Sequence, residues 1–205
     1  MAKKILAIVG TYRKGGITDS AVEEILSAVR ENGGETEKIY LIDKHLEFCT
    51  NCRKCTQLPG EHYGKCVLND DLNEILQKIE KADGLVLASP VNFYNVTAVT
   101  RKFIERLVCF AYWPWGKSAA PKNRSKVQNK MAVYVTATAM PAIMQIFFTG
   151  GPRILKIVAK LLGAKKVIPL VIGLVAVNEK ESLPEKYSQK ARKAGQMLAT
   201  EAINF

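Results

Sequence analysis

The strongest constraint in this sequence is its rhythm: a short apolar run followed by an amphipathic stretch, repeated five times. Residues 5–9 form a continuous apolar run ending at Gly10, the pattern of a strand covered on both faces. Ser20 and Glu23 make a capping-box pair, and Val22, Ile25, Leu26 and Val29 then mark one helical face. Gly33-Gly34 stops that helix, and 36–42 reads as the second strand. Asn69-Asp70-Asp71 opens a helix with the stripe Leu72, Ile75, Leu76 and Ile79. Residues 84–88 are the third strand, ended by Ser89-Pro90, and Val99, Phe103, Ile104 and Leu107 line the next helix. A fourth strand over 131–137, a helix over 153–162, a fifth strand within 167–177 and a charged helix over 184–203 complete the pattern.

Consecutive β-α units predict an α/β three-layer sandwich, a five-stranded parallel sheet with helices on both faces. Ligands of such sheets bind beyond the carboxyl ends of the strands, at the point where strand order reverses. No repeat, low-complexity tract or linker interrupts the 205 residues. The expectation is one domain over 1–205, carrying a Cys-rich loop at 49–66. With 48% apolar residues the chain can build its core without disulfide staples.

The net charge of +11 attracts anionic partners. Its basic residues are scattered and match no nucleic-acid signature, so no nucleic-acid partner is expected. The densest group, Lys117, Lys122, Arg124, Lys126 and Lys130, reads as a solvated loop; holding dinucleotide phosphates is the minority reading. No secretory signal is visible, because the apolar run after Lys3-Lys4 is too short. The uncharged stretch 131–152 has the length of a membrane span but contains Pro141, Gln145, Gly150 and Gly151. A strand, a loop and a helix start account for it better, and a cytoplasmic protein without a membrane partner is expected.

The loop after the first strand, 10–18, supplies hydroxyls, two cations and N–H groups at a helix start, which suit an anionic phosphate. Gly10 and Gly15 have Walker spacing, but Gly16 and Ile17 stand where Lys and a hydroxyl residue belong. The dinucleotide fingerprint fails at Tyr12. What remains is a hydroxyl-rich loop wrapping a monophosphate, or a loop that binds nothing.

Three motifs carry a family resemblance. Thr11, Arg13 and Thr18 stand in the first loop; 89–97 read Ser-Pro-Val-Asn-Phe-Tyr-Asn-Val-Thr; and 64–71 read Gly-Lys-Cys-Val-Leu-Asn-Asp-Asp. The chain thereby resembles the NADPH-dependent FMN reductase and iron-sulfur flavoprotein family, with a flavodoxin-like fold. The resemblance implies an FMN-binding oxidoreductase that takes hydride from NAD(P)H and passes electrons to an acceptor. It implies FMN contacts from Thr11, Arg13, Gly15, Gly16, Ile17 and Thr18, and from Pro90, Val91, Asn92, Phe93, Tyr94 and Asn95 along the flavin ring. A third contact loop follows the fourth strand and contributes Thr136 and Thr138. A homodimer or homotetramer is implied as well. The alternative is an electron carrier reduced by a redox protein partner, and a third class is a basic binding module without flavin.

Four of the five cysteines lie between 49 and 66. Cys49, Cys52 and Cys55 have ferredoxin spacing, and Cys66 supplies a fourth thiolate, the set a [4Fe–4S] cluster needs. Zinc and unliganded thiols are the competing readings. Cys109 stands apart as a buried small hydrophobe. His45 and His62 fit no ligand spacing and read as surface or packing residues, and 112–115 (Tyr-Trp-Pro-Trp) reads as core or subunit contact. No side chain stands out as acid, base or nucleophile, in keeping with chemistry carried by a cofactor.

Overall fold

A computed structural model describes residues 2–60, 62–124, 127–175, 178 and 181–201. Lys126, Val177 and Ile203, assigned above to the basic stretch, the fifth strand and the last helix, lie outside them. In chain order the elements are β1 (Lys4–Val9), α1 (Ile17–Glu31), β2 (Glu35–Tyr40), α2 (Leu72–Lys81), β3 (Gly84–Ala88), β4 (Val91–Asn92), β5 (Asn95–Val96) and α3 (Ala98–Arg106). They continue with β6 (Ala111–Tyr112), β7 (Lys122–Asn123), β8 (Lys130–Ala137), α4 (Ala142–Phe148), α5 (Gly151–Leu161), β9 (Ala164–Ile172) and α6 (Glu185–Thr200).

The main sheet has the order β2-β1-β3-β8-β9, with every pairing parallel. This is the flavodoxin-like order, whose switch point lies between β1 and β3. Val9 stands level with Tyr40 and Ala88, and Ala88 with Val135, so the strands present one common carboxyl edge.

Each strand feeds two cores because side chains alternate across the sheet. Leu6, Ile8, Leu85, Leu87, Ala132 and Tyr134 join the face covered by α2, α3 and α5. Ile5, Ala7, Val9, Val86, Val133 and Val135 join the face covered by α1 and α6. Burial on both faces is why these strands read as apolar runs without alternation.

Local structure corrects the sequence reading in three places. The first helix begins at Ile17 with Gly16 as its N-cap, which puts Ser20 and Glu23 inside it rather than at its start. Glu23 instead pairs with Arg30 at 2.6 Å and Lys38 at 2.8 Å. The stretch 131–152 contains a short helix, α4, where the sequence pattern predicts a loop; its apolar residues are largely exposed, so it leaves no amphipathic stripe. The basic stretch is only partly a solvated loop: Arg124 bonds the carbonyl of Cys55 at 3.0 Å, and Lys130 starts β8 and bonds the carbonyls of Glu80 and Ala82. Gly150 caps α5 as a helix start. No single helix among the described residues is long and apolar enough to cross a membrane, and α4 and α5 meet at a 73° bend.

The contact between α1 and α6 requires Gly195. A Cβ there would overlap the carbonyl oxygen of Ile25 and press on Ala28. Gly195→Val should therefore destabilise the protein by about 1–3 kcal/mol through overpacking. Urea unfolding should show a lower midpoint at unchanged slope.

Candidate functional site

Gly10 ends β1 and is gripped from two sides. Its N–H donates to the carbonyl of Ala88 at 2.7 Å. Its carbonyl accepts from the Thr97 hydroxyl at 2.5 Å and the Thr100 hydroxyl at 3.4 Å. A Cβ at Gly10 would overlap Thr100 Oγ1, so only glycine allows this approach. Thr97 caps α3, and its N–H donates to Ser89 Oγ at 3.1 Å. These hydroxyls lock the loop after β1 to the segment after β3, at the switch point.

A cleft of about 890 Å³ opens there. Thr11, Arg13, Gly15, Gly16, Ile17 and Thr18 form one wall, Pro90, Val91 and Asn92 a second, and Thr138 with Ala137 and Ala139 a third. No side chain caps the first turn of α1, whose first N–H groups lack intrahelical acceptors, and Gly16, Ile17 and Thr18 at that start line the cleft. The Asp19 carboxylate in that turn is occupied: it accepts from Gly15 N at 2.7 Å, from the Tyr40 hydroxyl at 2.9 Å and from Lys38 at 3.2 Å. Lys14 is held by Asp43 at 2.6 Å. Thr11 Oγ1 accepts from Arg13 N at 3.2 Å and shapes the turn.

Phe93, Tyr94, Asn95 and Thr136 do not line the cleft. Phe93 and Tyr94 form the tip of the β4-β5 hairpin, with left-handed φ values of 45° and 65°. A two-residue hairpin turn of this twist requires positive φ at both positions, a strained conformation for aromatic residues. Phe93 is 97% exposed. The Tyr94 carbonyl accepts from Gly150 N at 2.8 Å, which anchors the tip to the start of α5. Thr136 is buried behind the cleft, and its hydroxyl has no hydrogen-bond partner among the described residues.

A second cavity, of about 270 Å³, gathers Cys49, Cys52, Cys55 and Cys66. Arg53, Arg106 and Trp113 also line it. All five cysteines are unpaired. The Arg53 guanidinium lies 3.5 Å from the Trp113 ring centre and 3.9 Å from that of Trp115, and donates to the Trp113 carbonyl at 2.6 Å. The aromatic segment 112–115 thus braces the cysteine loop. Arg106 forms an ion pair with Asp70 at 2.5 Å, both side chains 1% exposed. It also donates to the Glu47 carbonyl at 2.6 Å and to Cys66 Sγ at 3.3 Å.

The thiols differ with their surroundings. The backbone N–H of Lys54 and the Thr50 hydroxyl pull Cys52 below the usual thiol value. Burial, then the neighbouring thiols, pushes Cys55 up. Burial pushes Cys109 up to about 12, as befits a core residue. His45 and His62 are exposed and lie beside Glu47 and Glu80.

The model of the NADPH-dependent FMN reductase family matches residues 3–145. The chain belongs to this family. It is 42% identical over 103 residues to an iron-sulfur flavoprotein of Methanocaldococcus jannaschii, covering 50% of this chain and 51% of that protein. It is 33% identical over 111 residues to one of Archaeoglobus fulgidus, covering 54% and 48%. The chain thus spans about half the length of the curated relatives it matches. Among solved structures, an FMN-dependent NADH-azoreductase of Bacillus anthracis in complex with FMN superposes with a TM-score of 0.71 at 13% identity, covering 98% of this chain and 100% of that one. An NAD(P)H:quinone oxidoreductase of Methanothermobacter marburgensis gives 0.67 at 15% identity, covering 97% and 98%. At these identities the likeness is one of fold.

In this FMN reductase family member, sequence reasoning missed a fourth wall of the cleft: Val175, Asn178, Glu181 and Ser182, which follow β9. Their place after a strand end was the available signal. It also missed Arg106, a charged residue on the buried face of α3 beside Phe103. Burial alone would raise the Asp70 carboxyl, but hydrogen bonds from Arg106 and from the N–H groups of Glu47 and Leu72 outweigh it and hold it low. A depressed folded value means the stabilisation is in place above the unfolded value, about pH 4, and is lost as pH falls through the folded one. Wild-type stability should fall below about pH 4. Asp70→Asn should be less stable at neutral pH and show a shallower acid dependence, read from urea midpoints across that range.

Proposed function

We propose that this chain is an FMN-dependent oxidoreductase that takes hydride from NAD(P)H and passes the electrons onward through a [4Fe–4S] cluster held by Cys49, Cys52, Cys55 and Cys66. The observation that carries the reading is the meeting of the loops after β1, β3 and β8 in one cleft at the β1/β3 switch point. Its volume matches a small-molecule site, and the start of α1 offers backbone N–H groups to a phosphate.

In this reading Thr11, Arg13, Gly15, Gly16, Ile17 and Thr18 bind the FMN phosphate, with Arg13 adding a charge-assisted hydrogen bond. Pro90, Val91 and Asn92 follow the polar edge of the ring, and Thr138 bounds its far side. Thr136 supports the wall from behind, and the hairpin tip carrying Phe93, Tyr94 and Asn95 stands outside the cleft. FMN, when bound, accepts electrons in pairs, and a cluster releases them singly.

The cysteine cavity suits a cluster by its donors: four thiols, with two guanidiniums against their charge. Among the described residues no three Cys, His, Asp or Glu side chains converge tightly enough for one metal ion. Unpaired thiols agree with a cytoplasmic, reducing setting. A homodimer or homotetramer is favoured by exposed Ile143, Ile146, Phe147 and Phe148 on α4. The second reading, an electron carrier reduced by a redox protein, is favoured by Cys52, exposed in the cavity lining, and by the exposed Trp115 stacked on Arg53.

Anaerobically prepared protein should contain FMN, iron and sulfide, and Cys66→Ala should lose most of the iron and sulfide while keeping FMN. Bleaching of the bound flavin by NADH or NADPH in stopped-flow supports the reductase. Its absence, with reduction by a protein donor, supports the carrier. Arg13→Ala should weaken FMN binding about tenfold or more in a fluorescence titration, the loss expected for one charged hydrogen bond. Unchanged affinity would remove Arg13 from the phosphate site.

A further inference from the structure

We infer that Arg106, through its N–H bond to Cys66 Sγ, sets the reduction potential of the cysteine-held centre by stabilising its reduced form. This rests on the cluster reading above and adds a residue acting through one ligand.

The geometry is specific. Nη2 of Arg106 lies 3.3 Å from Cys66 Sγ and also meets Asp70 Oδ1 at 3.2 Å. Nη1 donates to Asp70 Oδ2 at 2.5 Å and to the Glu47 carbonyl at 2.6 Å. A planar fork held by two bonds to Asp70 and one to Glu47 keeps its other Nη2 donor on the sulfur. The side chain is fully buried, so water does not compete for that N–H.

The four sulfurs are treated unequally. Arg53, the other guanidinium of the cavity, lies against two indoles and donates from Nη2 to the Trp113 carbonyl, while its buried Nε has no hydrogen-bond partner among the described residues. Cys49 lies against the neutral side-chain carbonyl of Asn51. Cys66 alone of the four, among the described residues, receives a charged side-chain donor. Asp70 offsets part of the guanidinium charge, and the directed N–H dipole remains at the sulfur.

The electrical consequence follows. Each electron taken from reduced flavin adds one negative charge to the centre, part of it on the ligand sulfurs. A buried donor at such a sulfur is stronger in the reduced state, so it raises the potential. Arg106 thereby makes the centre an easier acceptor for flavin electrons.

The test is an EPR-monitored redox titration of anaerobically prepared protein. Arg106→Lys keeps a cation for Asp70 on a shorter stem and loses the fork. Arg106→Met/Asp70→Asn removes both charges together, which avoids an unpaired buried carboxylate. The expected result is wild-type iron and sulfide content, an unchanged near-UV circular dichroism spectrum, and a midpoint lowered by tenfold in the reduction equilibrium, about 59 mV for one electron. A variant with full iron and an unshifted midpoint overturns the inference while leaving the cluster intact. Variants that fold but lose iron make Arg106 a structural residue and overturn it as well. Wild-type protein without iron or sulfide overturns the cluster reading, and this inference with it.

Discussion

The buried ion pair between Arg106 and Asp70 is the joint on which the cysteine side of this molecule turns. Asp70 stands at the start of α2 and accepts from the N–H groups of Glu47 and Leu72. Arg106 closes α3 and reaches the carbonyl of Glu47 and the sulfur of Cys66. One pair of charges thus fastens two helices and both ends of the cysteine loop. Such pairs contribute little net stability against an apolar replacement, but removing one partner costs about 3–5 kcal/mol. What the pair supplies is a single arrangement of a loop with little core of its own.

At the other end of α3 the same logic is carried by neutral groups. The Thr97 and Thr100 hydroxyls grip the carbonyl of Gly10, and Ser89 receives the N–H of Thr97. The loop after β1 and the segment after β3 are therefore one unit, and the cleft between them is preformed. Helix α3 spans the two sites, its nine residues covering ~13 Å. The cleft and the cysteine cavity are held apart by a rigid rod whose two ends are each hydrogen-bonded into a site.

The cysteine loop solves a further problem. It has almost no regular structure between β2 and α2, so its backbone groups need partners elsewhere. The segment after α3 provides them: Cys109 O accepts from Gly64 N, Thr56 O from Trp113 N, and Arg124 bonds the Cys55 carbonyl. Left-handed φ values at Asn51 and Arg53 turn the chain sharply between the cysteines. The two indoles around Arg53 then set that turn in place.

The sequence by itself determined the layers of this protein. Burial of strands on both faces leaves an unbroken apolar run such as 5–9, and a one-sided helix leaves a stripe such as Leu72, Ile75, Leu76 and Ile79, because both signals are local and periodic. The first-loop residues and the cysteine set were legible for the same reason: their chemistry is concentrated in short segments. Only the tertiary structure decided what meets what. Helix α4 left no stripe because its apolar face is exposed, and the true start of α1 depends on Gly16 rather than on the nearest capping pattern. The wall after β9 joined the cleft through strand order, which no local pattern encodes. Arg106 and Asp70 are 36 residues apart in the chain, and an arginine on an apolar helix face reads as a surface residue until the fold brings a buried carboxylate and a thiol against it.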